Sequence, residues 1–320
     1  MLPYNNSMTT VVGRLAPSPT GTQHVGNART YLIAWLSARS QGGRVVLRIE
    51  DLDGPRVKPG AVETAFNDLR WLGLEWDGEP MIQTQRLSHY RAAFERLQSM
   101  ELVYPCTCTR ADIERAASAP HAEHEGPIYP GTCAHRGVAD AARLTDRPYA
   151  WRLRVGNDTI TFDDRFRGRT SLNLHDIGGD FVVWRSEGIP AYQLAVVVDD
   201  AAQGVTEVIR GDDLVPSTPR QLLVYRLLGL PPPSFAHVPL VVRPDGRRLA
   251  KRHGDVHLAN LRRFGVSPQA LLGLLAWSCG WIDRIEPIAL TDLVARFGWA
   301  AIPHDPFVLT PDMVPAIGGR

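Results

Sequence analysis

VVGRLAPSPTGTQHVGNARTYLIAWLSARSQGGRVVLRIEDLD, residues 11–53, is the stretch on which the fold turns. Residues 11–15 are a short apolar run that predicts a buried strand. Residues 26–40 predict a helix closed by Gly42 and Gly43, and residues 44–50 predict a second strand. Strand, helix and strand at this spacing make a right-handed βαβ unit, and hence a parallel sheet. In such a sheet ligands bind beyond the carboxyl ends of the strands, where helix N-termini direct their free N–H groups. The loop PSPTGTQHVGN (17–27) occupies that place. His24 there can hydrogen-bond a phosphoryl oxygen, and Gly26 lets a flat base approach the backbone. Arg14 ends the first strand and Glu50 ends the second, so both reach one rim of the sheet. A cation and an anion together suit a zwitterionic ligand, unless the two simply pair with each other.

Working outward, helical patterns follow at 59–72 and 86–101. Around Pro105 the character changes: residues 105–147 carry a cysteine cluster, several histidines and little periodicity. Strand-like runs come next at 149–155, 159–164 and 180–184, separated by Gly, Asn and Asp turns. Strand patterns resume at 191–199 and 205–210. Thr218 and Pro219 supply an N-cap and first-turn pair for a helix ending near Gly229. Residues 235–242 predict one more strand, followed by a basic loop and helices. The fold class expected is α/β, a doubly wound Rossmann-like parallel sheet split by an insertion. The domains expected are 9–104 and 191–245 for the two halves of the catalytic domain, 105–190 for the insertion, and 246–320 for the basic loop with a small C-terminal helical region.

Composition narrows the function. The 320 residues carry a net charge of +1, so a whole-protein electrostatic grip on nucleic acid is not indicated and any contact must come from a local patch. The strongest such patch runs from Arg243 to Arg263 and includes RRLAKRHGD (247–255), whose mobile cations could neutralise charge on a leaving pyrophosphate. Lys58 and Lys251 are the only lysines, so a retained ammonium carries more information here than any arginine. No apolar run approaches a membrane span and the first residues lack a signal-peptide pattern, so a cytoplasmic protein, monomeric, is expected. In a reducing compartment Cys106, Cys108 and Cys133 read as metal binding, specifically a structural zinc site. On the residues alone the fourth ligand is His121, His124 or His135, imidazole being a commoner zinc ligand than phenolate. Cys279, alone in an apolar helix, reads as a buried structural thiol.

Taken in order, PSPTG…HVGN, RIEDLD (48–53) and LAKRHGD (249–255) resemble the signatures of class I glutamyl-tRNA synthetases. HVGN stands at the "HIGH" position and Arg248 to Arg252 at the "KMSKS" position, where Ala250 replaces the usual serine and Lys251 falls on the catalytic lysine. The resemblance implies an ATP-dependent ligase with His24 and Lys251 as catalytic residues, and with Gly26 and Asn27 beside them on ATP. It further implies a glutamate pocket of Arg14, Leu15, Ala16, Pro17, Ser18, Glu50, Tyr192 and Arg210, and Mg²⁺ entering with ATP. YPGTC (129–133) resembles the YxxxC of the zinc module in one branch of the family, which implies one Zn²⁺ on Cys106, Cys108, Tyr129 and Cys133.

GDDLVPSTPRQ (211–221) and LANLRRFGVSPQALLGLLA (258–276) are similar to a truncated branch of that family, and the chain ends too soon after Arg252 for an anticodon-reading region. That branch activates L-glutamate without tRNA and places it on the queuosine base of tRNA(Asp). The other expectations weighed are a minimal glutamyl-tRNA synthetase charging the 3′ end and an inactive tRNA- or nucleotide-binding module.

Overall fold

Between its first two strands the chain runs through one helix and returns parallel, as the pattern at 11–50 requires. The structure is a computed structural model that describes residues 10–19, 23–54, 57–116, 128–249, 256–313 and 317. In chain order its elements are β1 (Val12–Leu15), α1 (Val25–Ser40), β2 (Arg44–Ile49), α2 (Ala61–Trp71), β3 (Met81–Ile82), α3 (Leu87–Ser99), β4 (Val103–Cys106) and α4 (Arg110–Ala116). There follow β5 (Ala150–Leu153), β6 (Thr159–Asp164), β7 (Gly168–Asn173), β8 (Phe181–Trp184), α5 (Tyr192–Ala202), β9 (Glu207–Gly211) and α6 (Ser217–Leu228). The last are β10 (Ser234–Val238), β11 (Val241–Val242), α7 (Leu258–Arg263), α8 (Pro268–Ser278), α9 (Leu290–Arg296) and β12 (Phe307–Val308). Packing groups the chain into two units, one of residues 1–81, 205–211 and 238–320, the other of residues 82–204 and 212–237.

In the first unit β1 and β2 run parallel in register from Val12↔Arg44 to Leu15↔Leu47. Helix α1 covers β1, β2 and β9, and its Leu32, Ile33 and Leu36 are fully buried. The chain enters β9 beside β1, where Thr206 N donates to Val12 O (2.9 Å) and Val12 N donates to Thr206 Oγ1 (2.8 Å). Arg29 is buried on α1 yet satisfied, donating to Ser278 Oγ (3.0 Å) and Pro239 O (2.9 Å). A guanidinium out of water needs such acceptors, so these bonds fix α1 against the end of α8. Helix α8 starts by rule: Ser267 accepts from Ala270 N, and Pro268 occupies the first turn.

In the second unit β4, β5 and β8 form an antiparallel sheet. Phe94 of α3 stacks on Trp184 (centroids 4.8 Å apart) and meets Trp151 edge-on (5.4 Å). A hairpin of β6 and β7 is joined by β10, parallel to β6 through Phe235↔Asp164. Two fully buried aspartates organise this unit. Asp199 on α5 accepts from Tyr90 Oη (2.7 Å), Gln83 Nε2 (2.8 Å) and Arg86 Nε (2.8 Å). Asp164 at the end of β6 lies 2.6 Å from His237 Nδ1, and His237 Nε2 lies 3.0 Å from Thr218 Oγ1.

Several readings of the sequence need correction. Residues 191–199 are helical, not a strand: the run AYQLAVVVD is the start of α5, whose apolar side chains are buried all round, so periodicity could not separate helix from strand. Strand β7 went unread because its half-exposed residues, GRTSLN, lack an apolar face. Helix α6 begins at Ser217 with Pro216 at the cap position, and Thr218 is not the N-cap but a buried partner of His237. Its end is as read: Gly229 takes φ 64°, a left-handed conformation that closes helices. The strand read at 235–242 is two, β10 and β11, broken at Pro239 and Leu240.

Candidate active site and thiol cluster

His24 is the N-cap of α1, and its ring is part of the cap. Asn27 N donates to His24 Nδ1 (3.2 Å), and His24 N donates in return to Asn27 Oδ1 (3.3 Å), a reciprocal capping box with unusual residues. Since Nδ1 accepts, the neutral imidazole carries its proton on Nε2, so the ring can offer a donor to an anionic ligand. Gly26 is required by close approach. A Cβ there would lie 3.1 Å from both Cε1 and Nδ1 of His24 and 3.4 Å from Val241 Cβ, so any other residue would push the ring.

Arg14 on β1 and Arg210 on β9 are both buried, and Arg14 Nη1 donates to Ile209 O (3.4 Å). Leu15 is fully buried and Pro17 buried, Ala16 half-buried and Ser18 exposed. Glu50 N donates to Pro17 O (3.0 Å), which ties the loop to the end of β2. Glu50 Oε1 is 3.1 Å from Nη2 of Arg48, two residues earlier. Tyr31, which the sequence reading passed over, belongs to the same neighbourhood. Its hydroxyl donates to Gln23 Oε1 (3.1 Å), and its pKa is raised, first by burial and then by Glu50, with Arg14 opposing.

Gln23 also connects to the far side of the loop. Its N donates to Asp68 Oδ2 (3.3 Å), and its O accepts from Leu258 N (2.9 Å). His24 and His257 form an isolated antiparallel bridge. Arg262 Nη2 lies 2.7 Å from Asp68 Oδ1, Arg262 Nη1 donates to Asn67 O (3.1 Å), and the guanidinium sits over the Trp71 ring. Asp68 is fully buried; burial pushes its carboxyl up to about 6 against the opposing pull of Arg262. Of the basic loop, Arg243 N donates to Arg247 O (2.8 Å), Arg248 bridges Val242, and Leu249 is buried. Ala250, Lys251 and Arg252 lie outside the described residues, as do His121 and His124. Tyr192 belongs to the other unit, where it is the first residue of α5 and 39% exposed.

The second unit holds the cluster of three thiols. Cys106 ends β4, and the Sγ atoms of Cys106, Cys108 and Cys133 all lie within 4.8 Å of one another. The Tyr129 hydroxyl stands 3.5 Å from Cys106 Sγ and accepts from Cys133 N (2.8 Å). Arg152 Nε donates to Cys106 Sγ (3.4 Å), and its guanidinium lies 3.8 Å over the Tyr129 ring. Burial pushes the Cys108 thiol up to about 12. Burial acts on Cys133 too, but hydrogen bonds, the Thr107 backbone first, outweigh it and hold that thiol at about 7. Three convergent sulfurs and one phenolic oxygen suit a tetrahedral, thiophilic cation, and His135 is exposed and is not one of the grouped ligands. Cys279 is buried at the end of α8, where burial raises its thiol. No described helix is long and apolar enough to cross a membrane.

Comparison with known proteins gives this geometry a context. Residues 10–300 match the family of class I tRNA synthetases (E and Q), catalytic domain. The Glutamyl-Q tRNA(Asp) synthetase of Rhodopirellula baltica is 48% identical over 323 residues, covering 94% of this chain and 97% of that protein. The protein of the same name from Nocardia farcinica is 50% identical over 302 residues, 93% of each chain. The glutamate–tRNA ligase of Geobacter sulfurreducens is 41% identical, with 95% of this chain and 65% of that one covered. Among solved structures, a glutamate tRNA ligase from Elizabethkingia meningosepticum in complex with its amino acid superposes with a TM-score of 0.81 at 26% identity, over 97% of this chain and 69% of that chain.

Proposed function

The chain belongs to the class I tRNA synthetases of the E and Q type, in their glutamyl-Q tRNA(Asp) synthetase branch, and from that premise we propose that it forms glutamyl-adenylate from L-glutamate and ATP without tRNA, then transfers glutamate to the queuosine base in the anticodon of tRNA(Asp). The observation that carries this reading is the 48% identity, over nearly the whole of both chains, with a relative of that name.

The chemistry needs no protein nucleophile. The ionised α-carboxylate of glutamate attacks the α-phosphorus of ATP, the bond to the bridging oxygen breaks, and pyrophosphate leaves with its electron pair. Catalysis is then positioning and charge stabilisation. His24 Nε2 donates to a phosphate oxygen, and Lys251 neutralises charge as pyrophosphate departs; Mg²⁺ arrives as part of the nucleotide. Gly26 keeps the ring of His24 in place, and Asn27 fixes its tautomer through the capping box. Arg14 and Arg210 meet the carboxylates of glutamate, and Glu50, held by Arg48, faces its ammonium group. Leu15, Ala16, Pro17 and Ser18 form the loop wall. Tyr192 is assigned from the sequence resemblance alone. Glutamine would leave a buried guanidinium without its anionic partner, and sites built on such pairing discriminate strongly. In the second step a hydroxyl of queuosine's vicinal diol attacks the acyl carbon and AMP leaves.

Cys106, Cys108, Cys133 and Tyr129 would hold one zinc ion, whose contribution is to cross-link the chain around β4; four protein ligands leave no position for substrate. Residues 105–190 are read as this module and as a contact for the tRNA stem.

The deciding experiment labels tRNA with radioactive glutamate. Queuosine-containing tRNA(Asp) without its 3′-terminal adenosine should be labelled, and the same tRNA with guanine in place of queuosine should not. Label that disappears with the terminal adenosine, or appears on tRNA(Glu), would make the enzyme a glutamyl-tRNA synthetase charging the 3′ end.

A further inference from the structure

We propose that Asp68 is a positioning residue that clamps the start of α1 to the start of α7, holding His24 in register with the chain that leaves the basic loop. The inference rests on the reading of His24 and Lys251 as the groups that meet ATP.

Two chain segments carry those groups, and they come from distant parts of the sequence. Gln23 and His24 stand immediately before α1; His257 and Leu258 stand at the start of α7, just after the segment containing Lys251. The segments meet in backbone at the His24–His257 bridge and the Leu258 N to Gln23 O bond. An isolated bridge is a weak tether, because it has no ladder to either side. Asp68 strengthens it from beneath. One carboxylate oxygen takes the Gln23 amide, the residue next to His24, and the other takes Arg262, one turn along α7 from Leu258. A single buried side chain on α2 therefore holds both segments. Arg262 is itself fixed by Asn67 O and by the Trp71 ring, so the clamp has no loose arm. Gln23 extends the chain of bonds to the Tyr31 hydroxyl, which lies in the electrostatic reach of Glu50 and Arg14. The two nucleotide segments and Tyr31 thus share one network of hydrogen bonds, within electrostatic reach of the amino-acid pocket.

Charge is the element to remove without changing shape. Asp68→Asn keeps the side-chain volume and an acceptor for Gln23 but loses the anion that draws in Arg262. In ligand-free protein, deuterium exchange should speed up at the amides of Gln23, Asn27 and Leu258 and stay unchanged in the β6–β7 hairpin. In glutamate-dependent ATP–pyrophosphate exchange, kcat should fall about tenfold with the KM for glutamate unchanged, as expected when alignment of reacting groups is lost. Arg262→Gln should match this loss, and the double variant should be no worse than either single one. The melting temperature of Asp68→Asn should change little, because the substitution removes a buried charge together with its ion pair. Unchanged amide exchange, a kcat within about twofold of the parent, or a loss of rate that tracks a lowered melting temperature would overturn the proposal. Absence of exchange activity in the parent enzyme would instead sink the functional reading, and the deuterium measurement would then decide the clamp by itself.

Discussion

His24 does two jobs with one ring. Nδ1 belongs to the fold, as the acceptor that caps α1, and Nε2 is the atom proposed to meet the nucleotide. The two can be separated by substitution. Asparagine is among the best N-caps, whereas alanine forfeits the cap at a cost of about 1 kcal/mol. His24→Asn should therefore melt no earlier than the parent, and His24→Ala should melt earlier. Both should slow pyrophosphate exchange by more than about tenfold, since each removes a donor made mainly to the transition state. Thermal melting alongside the exchange assay checks this; an Asn variant of full activity would assign the histidine to capping alone. The sequence showed which residues gather at this rim but not how they pair. Glu50 follows β2 as read, and it also pairs with Arg48, a contact between residues two apart that no spacing rule reveals. Tyr31 and Asp68 were invisible for a related reason: each lies within an ordinary helical pattern and gains its role only from residues that are remote in sequence or that the fold folds back upon it.

Among the elements, legibility followed contact with water. The βαβ unit at 12–49 was readable because its strands and helix have the lengths and breaks that the chain's geometry demands. Helix α5 was not, because burial on every side erases the period, and β7 was not, because exposure on both sides erases it too. The elements of the second unit also carry pH-dependent ties. Burial raises the Asp164 carboxyl, but hydrogen bonds, that of His237 first, outweigh it and hold the group below its ordinary value of 3.8. A depressed carboxylate contributes stability above its unfolded pKa and loses it as pH falls through the folded one. The tie between β6, β10 and α6 should weaken as pH drops below about 4. Urea midpoints across that range should fall for the parent and change less for Asp164→Asn. Asp68 has the opposite sign: raised from 3.8 to about 6, it favours the fold at low pH, and that contribution is lost as pH rises through 6. The thiol cluster ties β4 to the segment at 129–133. Metal analysis should find one zinc per chain, lost with Cys133→Ser and diminished with Tyr129→Phe, and chelation should lower the melting temperature. Full zinc in Tyr129→Phe with loss in a variant of His121, His124 or His135 would move the fourth ligand to imidazole.

For the molecule as a whole, a net charge of +1 means that tRNA binding cannot rest on a general attraction. It must rest on patches, and the exposed Arg247 and Arg263 are the described cations of the strongest one best placed to lose nothing structural. Replacing both with alanine should reduce the slope of log affinity against log salt by about 2. Filter binding at several salt concentrations measures it; an unchanged slope would put the RNA elsewhere. The division of the chain has a consequence for how the protein is made. All of the second unit's residues, 82–204 and 212–237, have left the ribosome before the last part of the first unit has been translated. Residues 1–81 must wait. Helix α1 emerges early with a buried-to-be arginine whose acceptors, Pro239 and Ser278, do not yet exist, and β1 emerges without Thr206 at its side. During synthesis the half of the protein that carries the loop at residues 17–27 is therefore the last to be completed, and the half with the three clustered thiols, encoded in the middle, is free to fold first.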